Sequence, residues 1–182
     1  MTLCKSNSYP SPSAVIARWQ ELVDDPELAR WPGRVETDRL GRIIVSLIPA
    51  LSHSFRQGDI FRALCDLLPG EALFACPLVT LDGVKVIDVV WMSAGYFREL
   101  EAKEPLVLER APEICVEVLS PSNSKPEMKE KGALYFEAGA QEVWICGLDG
   151  KRNSTPRTFP RLHGSALHSP ANYERRPTQP AQ

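Results

Sequence analysis

The chain has 182 residues, a formal net charge of −2 at pH 7, and 43% hydrophobic and 24% charged residues, which is the composition of one soluble globular domain. No apolar run approaches the roughly 20 residues that a membrane-spanning helix needs. The first residues, MTLCKSNSYPSPS, lack the apolar core of a secretory signal. We therefore expect a cytoplasmic protein with no membrane partner.

The cysteines argue against a zinc site or a disulfide framework. Their number, five, is odd, and no two of them have the spacing of a Cys-x-x-Cys pair. Cys115 and Cys146 lie in apolar, strand-like runs and are interpreted as small buried hydrophobic residues. This usage fits a reducing compartment.

Charge is distributed unevenly along the chain. Residues 151–182 carry six basic side chains and one acidic side chain, whereas residues 1–150 carry fifteen basic and twenty-two acidic side chains, a net charge of −7. A nucleic-acid-binding domain usually has a basic stripe, and the first 150 residues show no such bias. The average charge therefore counts against DNA binding, although a local basic patch is compatible with it.

The first third of the chain predicts two helices separated by a pair of short strands. Apolar residues of AVIARWQELV fall on one helical face, with Ser13 as the expected N-cap, and DPELARW predicts a further helical turn. The segment RVETDRLGRIIVSLIP predicts two strands joined by a turn at 38–41. A second helix is predicted over 53–68, because its apolar side chains share one stripe and Pro-Gly follows.

The next 80 residues alternate strand and helix signals. Strands are predicted in ALFACPLVTL, VKVIDVVWM and EICVEVLS, with a hairpin turn at Asp82-Gly83. A helix over 126–138 follows, with Gly139 at its C-cap, and EVWICGL predicts a last strand. This order favours an α/β fold in which helices flank a mixed sheet.

Three regions are predicted from these patterns. After Gly150 the periodicity fails, because the remaining residues contain five prolines and few large apolar side chains. We expect a flexible N-terminus over 1–13, one domain over 14–150, and an irregular, basic, proline-rich tail over 151–182.

Two carboxylates lie in strands that are otherwise apolar. Asp88 lies in VKVIDVVWM and Glu117 in EICVEVLS, and both strands have the pattern of burial on both faces. A charge leaves water at a high cost unless it is paired or bound to a metal. If the strands pair, the two carboxylates converge, and their hard oxygen atoms favour Mg²⁺ or Mn²⁺. The structural alternative is that each carboxylate caps a backbone group or pairs with an arginine.

A lysine interrupts the apolar stripe of the helix predicted over 126–138. Lys131 shares the face of Met128, Leu134 and Tyr135, which should pack against the sheet. The alternative is a snorkelling side chain whose ammonium group reaches water. With Asp88, Glu117 and a cation, Lys131 would complete a centre for phosphodiester hydrolysis, in which it orients water or neutralises developing charge.

At these residues the chain resembles a known nuclease family. The segments VKVIDVVWMS, APEICVEVLSPSNS and EMKEKGALYFEAGAQEVWIC are similar to those of the Uma-two-type endonucleases, a branch of the PD-(D/E)XK superfamily. GRVETDRLGRIIVS and the helix near His53 support the likeness, which covers roughly residues 14–150. The run EVLSPSN followed by K-x-x-LYFEAGA-x-EVW is a specific signature.

The resemblance implies a restriction-endonuclease-like fold and hydrolysis of DNA phosphodiester bonds with Mg²⁺ or Mn²⁺. Asp88 corresponds to the aspartate of the PD element and Glu117 to the acidic (D/E) residue, and both would be metal ligands. The superfamily's lysine is expected two residues after the acid, where this chain has Leu119. The resemblance therefore maps the catalytic lysine to Lys131. It also implies DNA as the partner, and many nucleases of this superfamily act as homodimers.

The chain departs from the family pattern at several positions. Ile87 stands where the PD element has proline, and KRNSTPRTFPRLHGSAL matches the family's last strand poorly. Glu36 and His53 lie where related chains also carry acidic and histidine residues, and each is either structural or an accessory near the metal or the phosphate. Two alternatives stay open: a catalytically inactive nuclease-fold binding or assembly module, and an enzyme that acts on RNA.

Overall fold

The computed structural model describes residues 11–47, 49–121 and 123–147. The predicted tail over 151–182 and most of the predicted N-terminal segment lie outside these residues, so the division into three regions stays a prediction. Within them the elements are α1 Pro12–Val23, a 3₁₀ turn Leu28–Arg30, β1 Gly33–Thr37, β2 Ile43–Leu47, α2 Leu51–Leu67, β3 Gly70–Thr80, β4 Gly83–Ser93, α3 Ala94–Lys103, β5 Ile114–Val118, α4 Lys125–Glu137 and β6 Glu142–Cys146.

The main sheet has the strand order β3-β4-β5-β6. β4 is antiparallel to both β3 and β5, whereas β5 and β6 are parallel and are connected through α4. The β3–β4 connection is the predicted turn at Asp82-Gly83, where Gly83 has a φ of +83°. A Cβ atom at Gly83 would lie 2.4 Å from the carbonyl oxygen of Asp38, so both the backbone angle and the close approach require glycine. The mixed α/β fold predicted from the sequence is confirmed.

A separate two-stranded sheet lies against one end of β4. β1 and β2 pair antiparallel, as predicted, and β1 contacts β4 through side chains. The hydroxyl oxygen of Thr37 accepts a hydrogen bond from the backbone N–H of Val84 at 2.8 Å, and the ammonium group of Lys85 donates to the Thr37 carbonyl at 3.0 Å. These contacts hold β1 beside the half of β4 that β5 does not pair with.

Apolar side chains cover both faces of the main sheet. One cluster includes Val89 and Val116 and packs under α2 through Leu64, whereas another includes Val90 and Cys115 and packs under α4 through Tyr135. A third cluster fixes α1 to the hairpin end of the sheet. β4 and β5 are buried along nearly their whole length, which confirms the burial predicted for both strands.

One local prediction is wrong, and one helix was not predicted. α1 is capped by Ser11 and not by Ser13, because Pro12 begins the helix and the hydroxyl of Ser11 accepts from the Ala14 N–H. The helix α3 was not predicted. It is only ten residues long, although Tyr96, Phe97 and Leu100 share one face that packs against the core and the hydroxyl of Ser93 caps its first turn. No helix in the described part of the chain is long and apolar enough to cross a membrane.

Candidate active site

The two buried carboxylates lie at the end of the β4–β5 ladder. The ladder pairs Val89 with Val116 and Val90 with Cys115, and continuing it by one residue brings Asp88 opposite Glu117. β3, the other neighbour of β4, is distorted opposite Asp88. Ala75 has a φ of +51° there and does not pair with β4, whereas Phe74 and Cys76 on either side of it do. The convergence of carboxylates inferred from the strand pattern is therefore present in the fold.

Three donors surround the carboxylate of Asp88. The guanidinium group of Arg34, on β1, donates through Nη2 to Oδ1. The backbone N–H of Val118 donates to Oδ2 at 2.7 Å, and Nε2 of His53 lies 3.3 Å from the same oxygen. His53 also contacts the Val118 carbonyl oxygen at 3.0 Å, so Nε2 carries the proton that it donates. Asp88 is thus held by two cationic or ionisable side chains and one backbone group.

Lys131 bridges Glu117 and a third carboxylate, that of Glu36. Its Nζ lies 2.9 Å from Oε1 of Glu36 and 3.3 Å from Oε1 of Glu117. The Glu36 oxygen also accepts from the backbone N–H of Val86 at 2.9 Å, and the hydroxyl of Tyr135 donates to Oε1 of Glu117. A side chain on β1, one on β5 and two on α4 therefore meet at one buried point.

Burial and neighbouring charges move the pKa values of this cluster in opposite directions. Burial alone would raise the pKa of Asp88, but the hydrogen bond from His53 and the charge of Arg34 hold it at about 2. Burial raises the pKa of Glu117 to about 7, although the charge of Lys131 opposes that shift. Burial would lower the pKa of Lys131, yet Glu117 and Glu36 keep it above its ordinary value. The cluster therefore holds one firmly ionised carboxylate beside one that is costly to ionise.

Comparison with known proteins identifies the family. The model of the family Uma2, described as "Putative restriction endonuclease", matches residues 25–155, which is more than half of the chain. The chain belongs to the Uma2 family. The resemblance found in the sequence motifs is thereby confirmed, and the family supports a nuclease function. No curated protein matches the chain significantly.

A solved structure shares the fold of this Uma2 chain. It is described as a "putative nuclease belonging to DUF820 from Anabaena variabilis ATCC 29413", and it matches with a TM-score of 0.57 at 18% sequence identity. The match covers 78% of this chain and 87% of the other chain. The restriction-endonuclease-like fold class is therefore confirmed.

The predicted residues of this Uma2 chain come together in one place. The charges of Lys131 and Asp88 both act on Glu117, and the side chain of Lys131 is only 13% exposed, so the snorkelling alternative is not what the structure has. Glu36 contacts Lys131 and His53 contacts Asp88 directly. The structural alternative also holds in part, because Asp88 does cap a backbone N–H and pair with an arginine. The roles of these residues stay predictions.

Sequence reasoning missed two members of the network. Arg34 donates to Asp88 and to the carbonyl oxygen of Val86, and Tyr135 donates to Glu117. Each had a signal of spacing. Arg34 is two residues before Glu36 on one strand and therefore shares its face, and Tyr135 is four residues after Lys131 on one helix.

Three carboxylates in this network have the oxygen donors that Mg²⁺ and Mn²⁺ prefer. No group of three or more His, Cys, Asp or Glu side chains in the described part of the chain is arranged to hold a metal ion. Lys131 lies between Glu36 and Glu117, and Arg34 pairs with Asp88. The carboxylate oxygens of Asp88 and Glu117 are therefore of the type that such an ion binds, and they are paired here with Arg34 and Lys131.

Proposed function

We propose that this Uma2 protein is a metal-dependent endonuclease that hydrolyses DNA phosphodiester bonds. The observation that carries the proposal is the ammonium group of Lys131, buried between Glu117 and Glu36 beside the strand that holds Asp88. Replacing a whole buried ion pair by apolar side chains is often neutral or stabilising, so stability alone does not account for this group, and charge clusters with shifted pKa values concentrate at functional sites. The family supports the same reaction class.

Asp88 and Glu117 would hold Mg²⁺ or Mn²⁺. When bound, such an ion supplies Lewis acidity towards the phosphate and lowers the pKa of a water molecule. Both carboxylates project from adjacent strands whose positions are fixed by a buried ladder, so their separation varies little. Tyr135 fixes the carboxylate of Glu117 by its hydrogen bond, and the Val118 N–H fixes that of Asp88.

Lys131 would act on the attacking water and on the phosphate. Its ammonium group has three protons, and its two carboxylate neighbours leave one direction for a water molecule or a phosphate oxygen. Glu36 keeps the ammonium group charged and aimed, which makes it a positioning residue. His53 plays the same part for Asp88, because its imidazole donates to that carboxylate from α2.

Plasmid cleavage in the presence of Mg²⁺ or Mn²⁺ tests the proposal. Asp88→Asn and Lys131→Met are expected to reduce cleavage at least about 100-fold, the size of effect typical of a lost charge at a reacting phosphate. The matched controls are Asp66→Asn and Lys129→Met, whose side chains are exposed on α2 and α4, and these should cut like the wild type. Cleavage that survives both site substitutions would remove the mechanism.

A second candidate function is a nuclease-fold binding or assembly module whose site no longer cuts. The observation that favours it is the pairing of Asp88, whose two oxygens both contact protein donors. Calorimetry with Mn²⁺ separates the candidates, because an active site should bind the ion in the wild type and lose binding in Glu117→Gln. The proposed DNA endonuclease should also cut DNA and leave RNA intact, whereas an enzyme that acts on RNA should cut RNA, and a panel of both substrates tests this.

The homodimer and the cytoplasmic location are part of the same proposal. They rest on the resemblance and on composition, respectively. Light scattering of the purified protein, alone and with a DNA duplex, tests the homodimer. Particles that contain one protein chain, both alone and on the duplex, would contradict it.

A further inference from the structure

Arg34 occupies the side of Asp88 that a metal ion would need. Its Nη2 donates to Oδ1, while Oδ2 is already used by the Val118 N–H and by His53. Oδ1 keeps a lone pair that could bind an ion, but an ion there would lie close to the guanidinium group, and the two positive charges repel each other. Arg34 therefore opposes the binding of a divalent ion at Asp88 as long as it stays in place.

We infer that Arg34 is a displaceable counterion of Asp88, which pairs with the carboxylate until a divalent cation binds and then swings away. The inference rests on the proposed function and adds to it a residue that sets the affinity for the cation. Arg34 is a positioning residue in this role, since it acts on the metal site through Asp88.

Arg34 is the donor that is free to move. Val118 donates from the backbone of a strand paired on both sides, and the side chain of His53 is only 6% exposed. The side chain of Arg34 is 23% exposed and belongs to the small sheet, which contacts β4 mainly through side chains. Displacing it breaks no ladder hydrogen bond.

Space for the displaced guanidinium group exists beside the site. A cleft of about 590 Å³ lies between α1, β1 and β3, and its lining includes Arg34, Trp19, Pro77 and Val86. The cleft is open to solvent, so the arginine can leave Asp88 without entering the packed core.

The affinity for Mn²⁺, measured by calorimetry on the full chain without DNA, tests the inference. Arg34→Met removes the competing charge and keeps most of the side-chain length, so the Kd should fall about 10-fold or more, as expected when one charge-assisted hydrogen bond no longer has to be broken. Arg39→Met, at the exposed turn between β1 and β2, removes the same charge elsewhere and should change the Kd less than about 2-fold.

A second readout follows the arginine itself. In the wild type, saturating Mg²⁺ should shift the Nε–H resonance of Arg34 to the position of exposed arginines. Mn²⁺ should also raise the melting temperature of Arg34→Met more than that of the wild type, because the ion replaces a lost partner of Asp88. If Arg34→Met does not fold, Arg34→Lys replaces it, and its Kd should lie below that of the wild type because an ammonium group lacks the planar fork.

The outcomes separate this inference from the proposed function. An equal or higher Kd in the Arg34 variant than in Arg39→Met, or an Arg34 resonance unmoved at saturation, overturns the inference while a Glu117-dependent metal site stands. Absence of Mn²⁺ binding in both the wild type and the variant also overturns it. In that case, plasmid cleavage by the wild type decides separately whether the proposed nuclease falls as well.

Discussion

Replacing Lys131 by methionine removes a cation that contacts both Glu36 and Glu117. Its ammonium group lies 2.9 Å and 3.3 Å from their oxygens, and the side chains of the two acids are 10% and 3% exposed. Methionine keeps the apolar stem, so that the packing of α4 against the sheet is retained. The change therefore isolates the charge, and it leaves two buried carboxylates without that partner.

The expected loss of stability is about 3–5 kcal/mol at neutral pH, the range found when one partner of a buried ion pair is deleted. At an effective dielectric constant of about 20, each contact contributes about 5 kcal/mol of attraction, of which the desolvation of the charges cancels a large part. Proton uptake by Glu117 moderates the loss, because its pKa is already about 7 and Lys131 lowers it. Without Lys131 that pKa rises further, so Glu117 is protonated at neutral pH and the loss lies near 3 kcal/mol.

The same reasoning fixes the sign of the pH dependence. A carboxyl group whose pKa is raised on folding stabilises the fold below its unfolded pKa, and this contribution is lost as the pH rises through the folded pKa. In Lys131→Met the folded pKa of Glu117 lies above about 7, so the deficit relative to the wild type grows as the pH rises beyond 7. Below that pH both proteins carry a protonated Glu117, and the deficit shrinks.

Urea denaturation at several pH values between 5 and 9 measures this deficit. Lys129→Met is the matched control, because Lys129 is exposed on the same helix. Surface substitutions of this kind change stability by less than about 0.5 kcal/mol. A Lys131 variant as stable as the control at every pH would refute the reasoning, since it would mean that the ammonium group reaches water.

Three further outcomes are expected. Tyr135→Phe removes the donor to buried Glu117 and should cost about 1–3 kcal/mol in urea denaturation, and an unchanged midpoint would contradict that hydrogen bond. Ser124→Ala removes the capping box of α4 and should cost about 1 kcal/mol, whereas Ser54→Ala, at an exposed position of α2 that is not its N-cap, should cost nothing. At pH 8, iodoacetamide should label Cys65 in the native protein and spare Cys76, whose pKa burial raises to about 11, as peptide mass spectrometry would show.

The core of the site could be predicted because its signals are local. Asp88 and Glu117 each violate the apolar pattern of a strand, and Lys131 violates the apolar face of a helix, so each can be found within about ten residues of sequence. Their meeting also follows from adjacency, since consecutive strands usually pair. The hairpin turn at Asp82-Gly83 and the α4 boundaries follow from turn and cap residues in the same way.

Arg34 could not be predicted as the partner of Asp88 for the opposite reason. The two residues are 54 positions apart, and β1 is partly exposed, so an arginine on it breaks no pattern. Only the docking of the small sheet on β4 decides which charges meet. The spacing of Arg34 from Glu36 places the two on one face of β1, but neither segment shows which distant charge Arg34 meets.

The way in which the small sheet docks has a consequence for how the site can work. The main sheet is held by backbone ladders, which can shift only by a change of register that would turn buried side chains outward. β1 instead contacts Val86 of β4 through hydrogen bonds from two side chains. Arg34 donates to the Val86 carbonyl oxygen at 3.1 Å, and Glu36 accepts from the Val86 N–H at 2.9 Å. Contacts of this kind can break one at a time. The fold thus fixes the carboxylates of Asp88 and Glu117 on rigid strands. It places Arg34, the cation that a bound metal ion would displace, on a small sheet that is attached to β4 through side-chain contacts.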